Sequence, residues 1–159
     1  MADNDFNKIS GYKLIAIDDP PDFRDRSYRP SLGRLPEKLA PPAKLRILDQ
    51  GQEGACTGFG LAAVINLFNS QRQRDYAVSS RMLYEMAQVY DQRDYEEGST
   101  MRGALKGWAK HGVASEAMWP YEPGDERGQV HGSLTIPRAL DAVARPGGRY
   151  LRIDRGDSD

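Results

Sequence analysis

Apolar side chains recur at helical spacing in three stretches of the chain. The first stretch holds Gly60, Leu61, Val64, Leu67 and Phe68; the second holds Met82, Leu83, Met86, Val89 and Tyr90; the third holds Met101, Ala104, Leu105 and Trp108. Residues three, four and seven positions apart lie on one face of an α-helix, so each stretch indicates a helix with one packing face. The sequence therefore predicts several helices packed together in the middle of the chain.

Residues that are common at helix ends predict where these helices begin and end. The first helix should begin at Cys56, after a glycine-rich loop, and end in the polar stretch 69–75. Ser79 or Ser80 can cap the second helix. Gly112 fits a left-handed position at the end of the third helix. A short fourth helix is expected over residues 137–144, with Pro137 in its first turn.

The flanking regions lack this helical pattern. Prolines at positions 20, 21, 30, 36, 41 and 42 predict that residues 1–44 form an extended arm on the surface. We prefer this interpretation to an autoinhibitory pro-segment, because the stretch shows no long amphipathic helix. Residues 45–48 and 149–153 are candidate short strands. The predicted organisation is an arm (1–44), a helical domain (45–145), and a short strand with a charged tail (146–159).

Composition narrows the classes of function. The chain has 159 residues and a formal net charge of −1, which does not favour a nucleic acid or a membrane as partner. One cysteine and two histidines are too few for a metal site, and we expect no cofactor. The first ten residues lack the pattern of a signal peptide, and a single cysteine forms no intrachain disulfide. Both observations favour the cytoplasm.

Cys56 is the candidate nucleophile. At the N-terminus of a helix, unsatisfied backbone N–H groups and the helix dipole favour the thiolate, which is the reactive form of cysteine. Gln50 and Gln52, just upstream, carry amides that could donate to an oxyanion. A lone cysteine at the start of a small-residue helix is, however, commonly a packing residue. The spacing of the neighbouring residues decides between these interpretations.

The stretch from Gln50 to Phe59 reads "QGQEGACTGF" and resembles the active-site segment of papain-like (C1 family) cysteine peptidases. The bacterial, intracellular branch of that family has a segment much like "DQGQxGxCTAF". Residues 77–87 and 97–123 are similar to the second and third helices of the family, and "PDFRDRSYRP" at 21–30 resembles the arm of the bacterial relatives. The resemblance thus covers about residues 20–123.

The resemblance implies specific roles for four residues. Cys56 matches the nucleophile, and Gln50 matches the glutamine that supplies the oxyanion-hole amide. Gly98 and Ser99 match the Gly-Gly pair whose backbone binds the substrate strand, with serine in place of the second glycine. Thr57 stands where many members have tryptophan. The pocket beside Ser99 should therefore differ from that of typical members.

The catalytic base is missing from the matched positions. Papain-like enzymes carry a histidine and its orienting asparagine roughly 130–150 residues after the cysteine, and no such segment follows Cys56 here. Only two histidines occur, His111 and His131. We interpret His111 as a solvated residue at the end of the third helix. His131 lies in a loop and is a weak candidate for a substitute base.

These observations predict an α+β fold class: the mainly helical N-terminal (left) domain of the papain-like fold with an extended arm, and with the β-rich second domain largely absent. The expected function is peptide-bond hydrolysis through a thioester, with a peptide or protein as substrate and poor activity of this chain alone. Three explanations for the missing half stay open: a truncated chain, one chain of a split enzyme whose partner supplies histidine and asparagine, or an inactive relative that acts as a binding module.

Overall fold

Over the residues that it describes, the computed structural model has four helices and four two-residue strands. The helices are α1 (Cys56–Gln71), α2 (Ser80–Asp91), α3 (Met101–His111) and α4 (Ile136–Val143); the strands are β1 (Lys8–Ile9), β2 (Tyr12–Lys13), β3 (Ala16–Ile17) and β4 (Ser99–Thr100). The structure describes residues 8–9, 12–29, 33–34, 37–38, 46–92, 97–122 and 132–153. The mainly helical fold class is confirmed. No helix in these ranges is both long enough and apolar enough to cross a membrane.

The core lies where α1, α2 and α3 pack against one another. Two glycines allow close contact between the helices. A Cβ atom at Gly58 on α1 would lie 2.7 Å from the Cβ atom of Tyr84 on α2, and one at Gly107 on α3 would lie 2.5 Å from the Cβ atom of Met86. Real Cβ atoms do not approach so closely, so a larger residue at either glycine would push the helices apart. Helix α2, which contacts both neighbours, is buried at every residue from Ser80 to Gln88.

The buried face of α1 differs from the predicted one. Val64 and Phe68, which the apolar pattern placed in the packing face, are 47% and 48% exposed. The helix instead buries a face that includes small and polar residues: Thr57, Gly58, Phe59, Leu61, Ala62, Ile65 and Asn69. Because Gly58 lies against α2, the buried face is centred on this small residue and takes Phe59, Leu61 and Ile65 inward in place of Val64 and Phe68.

The ends of α2 and α3 carry side-chain caps. Ser79 accepts a hydrogen bond from the Met82 N–H, as the sequence predicted, and Thr100 accepts one from the Gly103 N–H. Gly112 ends α3 with a φ of 76°, but its ψ of −162° is extended rather than left-handed helical. A Cβ atom at Gly112 would overlap the carbonyl of Ala142 on α4, so glycine is needed for this close contact.

The strands join the arm to the helical part. β1 and β2 form an antiparallel pair within the arm, and β3 pairs with β4 in parallel, with Ala16 opposite Ser99 and Ile17 opposite Thr100. The candidate strand at 45–48 does not form over its described residues 46–48. The one at 149–153 is reduced to a single bridge between Arg152 and Ser27. Both β4 and Arg152 thus pair with residues of the arm.

Candidate active site

Cys56 is the first residue of α1, and its side chain is partly buried. The N-cap position before it is occupied by Ala55, which forms no side-chain cap, and the first turn holds no acidic residue. The backbone N–H groups of this turn are therefore not satisfied by an N-cap side chain. Together with the helix dipole, they make this end of α1 suited to stabilise a thiolate or an oxyanion.

The loop before Cys56 is held by a buried ion pair. Arg81 on α2 binds Glu53 through two hydrogen bonds, from Nη1 to Oε1 at 2.5 Å and from Nη2 to Oε2 at 2.7 Å. Their side chains are only 2% and 4% exposed. The Tyr121 hydroxyl lies 2.6 Å from the carbonyl oxygen of Gln50 and 3.0 Å from Glu53 Oε2, and can donate its proton to either. These contacts fix both ends of the segment 50–53.

Two pKa shifts agree with this arrangement. Burial and then the nearby carboxylate of Glu53 raise the pKa of Tyr121 well above its usual value, so its hydroxyl stays protonated and remains a donor. Burial alone would lower the pKa of Arg81, but hydrogen bonding to Glu53 and the charges of Glu53 and Glu85 raise it above its usual value. The cluster therefore holds a permanent cation against the loop.

The side-chain amide of Gln50 is buried and faces two carbonyl oxygens. Its Nε2 donates to the carbonyl of Glu53 and to the carbonyl of Lys13, each at 2.9 Å. Both neighbours are acceptors, so only the amide nitrogen can face them. A primary amide has two N–H donors, and these two bonds use both. In this structure the Gln50 amide is thus engaged with the protein itself.

Gly98 and Ser99 lie directly beside the start of α1. Ser99 is fully buried, and its hydroxyl is hydrogen-bonded to that of Thr57, the residue after Cys56. Gly98 has a φ of 88°, which favours glycine, and its N–H donates to the Tyr84 hydroxyl at 3.2 Å. Burial, as the largest cause, raises the pKa of Tyr84 to about 12. The structure therefore places three predicted site residues, Cys56, Gly98 and Ser99, in one region.

His111 does not lie at this site. His111 is the last residue of α3, roughly 15 Å along the helix axis from the end that adjoins Ser99. Its Nε2 atom lies 3.0 Å from the Tyr90 hydroxyl. His131 lies outside the described residues. Within the part of the chain that the structure describes, Cys56 therefore has no histidine beside it.

Sequence reasoning missed the cluster of Glu53, Arg81 and Tyr121. Charged residues are mostly exposed, and nothing in the local pattern shows that Arg81 faces Glu53, 28 residues earlier. The one available signal is the position of Arg81 in the first turn of a helix, where cations are unfavourable unless paired. The larger described cavities, of about 960 and 700 Å³, lie elsewhere, along the arm and residues 149–153, so cavity size does not mark this site.

Comparison with solved structures found a similar fold. The chain resembles xylellain, a cysteine protease from Xylella fastidiosa, with a TM-score of 0.77 and 28% sequence identity. The match covers 93% of this chain and 60% of xylellain, so the chain spans somewhat less than two thirds of that protein's length. No protein-family model matches the sequence, and no curated protein does. The chain therefore has the fold of the helical N-terminal half of a papain-like cysteine protease.

Proposed function

We propose that Cys56 is the nucleophile of a cysteine peptidase site that hydrolyses peptide bonds through a thioester. The observation that carries the proposal is the position of Cys56 at the uncapped N-terminus of α1, beside Gly98 and Ser99. The thiolate attacks the carbonyl carbon of the substrate, and the C–N bond breaks when the amine leaves with a proton. The backbone N–H of Cys56 and the amide of Gln50 serve as the oxyanion donors, the amide after it exchanges its bond to the Lys13 carbonyl for one to the substrate.

The proton for the leaving amine must come from another group. A histidine, oriented by an asparagine, would supply it, and we propose that a further domain or a second chain brings both residues to Cys56. His111 is unsuited to this role because it lies at the far end of α3. We therefore expect this chain alone to acylate Cys56 with an activated ester, whose leaving group needs no proton, but to cleave amides poorly.

The experiment is a measurement of acylation with p-nitrophenyl acetate. The released nitrophenolate should show a burst of one equivalent per chain that Cys56→Ser abolishes, with a rate roughly tenfold or more above that of the same thiol in the urea-unfolded chain. The variant His111→Gln is the matched control and should leave the burst unchanged. Equal rates for the folded and unfolded thiols would contradict the proposal.

The alternative function is a peptide-binding module without catalysis. The observation in its favour is that no described histidine lies beside Cys56. This alternative predicts that Cys56→Ser retains peptide binding while the wild-type chain shows no faster acylation than its unfolded form. The acylation measurement therefore separates the two functions.

A further inference from the structure

The peptide group between Gln50 and Gly51 is hydrogen-bonded at both of its polar atoms. Its carbonyl oxygen accepts from the Tyr121 hydroxyl at 2.6 Å, the shorter of the two bonds of that hydroxyl. Its N–H, which belongs to Gly51, donates to Asp49 Oδ1 at 2.8 Å. Gly51 has a φ of 60°, and glycine adopts this and many other φ values readily. The two bonds, rather than the residue type, therefore hold the orientation of this peptide group.

The backbone of Gln50 is the base from which its side chain reaches the site. The side-chain amide donates one N–H to the Glu53 carbonyl at 2.9 Å, within the same loop, and its second N–H is the one that must turn to the substrate. A shift of the Gln50 backbone would displace this amide by a similar distance. Because a misplacement of about 1 Å can cost a large factor in rate, the site needs this backbone to be fixed.

The ring of Tyr121 is held by both helices that adjoin the loop. It meets the ring of Phe59 on α1 edge to face, with the centroids 4.7 Å apart, and the Arg81 guanidinium of α2 lies 4.6 Å from its centroid. Neither contact involves the hydroxyl. Tyr121→Phe therefore keeps the packing of the ring and removes only the hydrogen bonds to the Gln50 carbonyl and to Glu53 Oε2.

We propose that Tyr121 is a positioning residue of the oxyanion hole, whose hydroxyl holds the backbone of Gln50 so that the side-chain amide acts together with the Cys56 N–H. This proposal rests on the proposed function of Cys56 and adds a residue to that site. In this role Tyr121 acts through Gln50 and needs no contact with the substrate or the thiol. It lies 71 positions after Gln50, in the loop that follows α3.

The test compares two reactions of Cys56 in the Tyr121→Phe variant. Acylation by p-nitrophenyl acetate passes through an oxyanion, whereas alkylation by iodoacetamide displaces iodide at a saturated carbon and forms no oxyanion. Both reactions use the same thiolate. We expect acylation to slow by roughly three- to tenfold, part of the usual worth of one oxyanion donor, and alkylation to change by less than about twofold. A structural disturbance of the thiol would change both rates alike.

A double-mutant cycle identifies the group through which Tyr121 acts. In the Gln50→Ala background, Tyr121→Phe should change the acylation rate by less than about twofold, because the amide that the hydroxyl positions is already absent. Tyr90→Phe is the matched control, because it removes a partly buried hydroxyl that bonds to His111 rather than to Gln50. It should leave the rates of acylation and alkylation unchanged in both backgrounds.

The outcomes separate this proposal from the proposed function. Equal slowing of acylation and alkylation in Tyr121→Phe, or no slowing of either, would overturn the positioning role and leave the nucleophile assignment standing. A slowing that persists in Gln50→Ala would also overturn it, because the hydroxyl would then act on another group. If Tyr121→Phe does not fold, Asp49→Ala frees the other polar atom of the same peptide group, and the same pattern of rates is expected. If the folded wild-type chain acylates no faster than the unfolded chain, both proposals fail.

Discussion

Helices α2 and α3 begin at side-chain caps, whereas α1 begins at Ala55, which has none. Ser79 and Thr100 each satisfy an N–H group of the first turn of their helices. At α3 the arm adds Asp19, which accepts a hydrogen bond from the Arg102 N–H at 2.9 Å. The first-turn N–H groups that side chains cap at α2 and α3 are thus not capped at α1, the helix that carries the thiol. Thr135 forms no side-chain cap at α4 either, but α4 carries no candidate site residue.

This difference suits the end of α1 to the proposed chemistry and still leaves that end ordered. A side-chain cap would occupy the donors that a thiolate or an oxyanion requires. The start of α1 is instead fixed by the loop before it, which the buried pair of Glu53 and Arg81 and the hydroxyl of Tyr121 hold in place. The start of α1 is therefore stabilised by the ion pair between its preceding loop and α2. The starts of α2 and α3 are each stabilised by a side-chain cap.

The largest effect is expected when the external support of α1 is removed. Glu53→Ala removes the carboxylate that binds Arg81 through two hydrogen bonds, and Arg81 stays buried. Because a buried charge without this partner is costly, the free energy of unfolding should fall by about 3 kcal/mol. Urea denaturation measures this change. Arg24→Ala, which removes the exposed pair with Asp22, is the control and should cost less than about 1 kcal/mol. Similar losses for the two variants would contradict a supporting role for Glu53.

A smaller effect is expected at the capped helix α2. Ser79→Ala removes the cap of α2 and a hydrogen bond of 2.5 Å to the carbonyl of Trp119. The free energy of unfolding should fall by about 1–2 kcal/mol. Alkylation of Cys56 by iodoacetamide in the folded chain should keep its rate. A change in that rate would mean that the two helix ends are coupled.

Acid should weaken the arm contacts at α3. Hydrogen bonds from Arg102 hold the pKa of Asp25 below its usual value. Because the pKa is lower in the folded state, the stabilisation is complete above about pH 4 and is lost as the pH falls through the folded-state pKa. The free energy of unfolding of Asp25→Asn should therefore fall less steeply between about pH 5 and 2 than that of the wild-type chain. Parallel pH profiles would exclude this role.

The smallest effect is expected from an attempt to cap α1. Ala55 has a ψ of 17°, whereas the capping residues Ser79 and Thr100 have extended ψ values of 110° and 152°. A serine at position 55 cannot reach the first-turn N–H groups from this conformation. We therefore expect that Ala55→Ser does not increase the free energy of unfolding. An increase of about 1 kcal/mol, with slower alkylation of Cys56, would show that a cap can form there.

Local signals predicted the helices well and their packing less well. The start of α1 at Cys56, the cap at Ser79 and the fourth helix near Pro137 depend on near neighbours, and the structure places these elements within one residue of the predicted positions. The buried face of α1 depends on the close contact at Gly58, which the pattern of large apolar residues does not contain. Packing between helices therefore overrode the apolar pattern.

At the candidate site, too, short segments could be predicted from the sequence, whereas contacts between distant segments could not. Gln50, Cys56, Gly98 and Ser99 were identified from a resemblance that resides in short segments. The bonds from Gln50 to Lys13 and from Arg81 to Glu53 join residues that are 37 and 28 positions apart, and no local pattern indicates them. The pairing of β3 with β4 involves only two residues on each strand, too few to give a recognisable alternation.

The covalent attachment of β3 has a consequence for its pairing with β4. A segment that is tethered near its binding surface acts at an effective concentration set by the tether, and this gain needs no additional contact. β3 can therefore stay paired with β4 through only two residues, and a free peptide of the same sequence would bind β4 far less well.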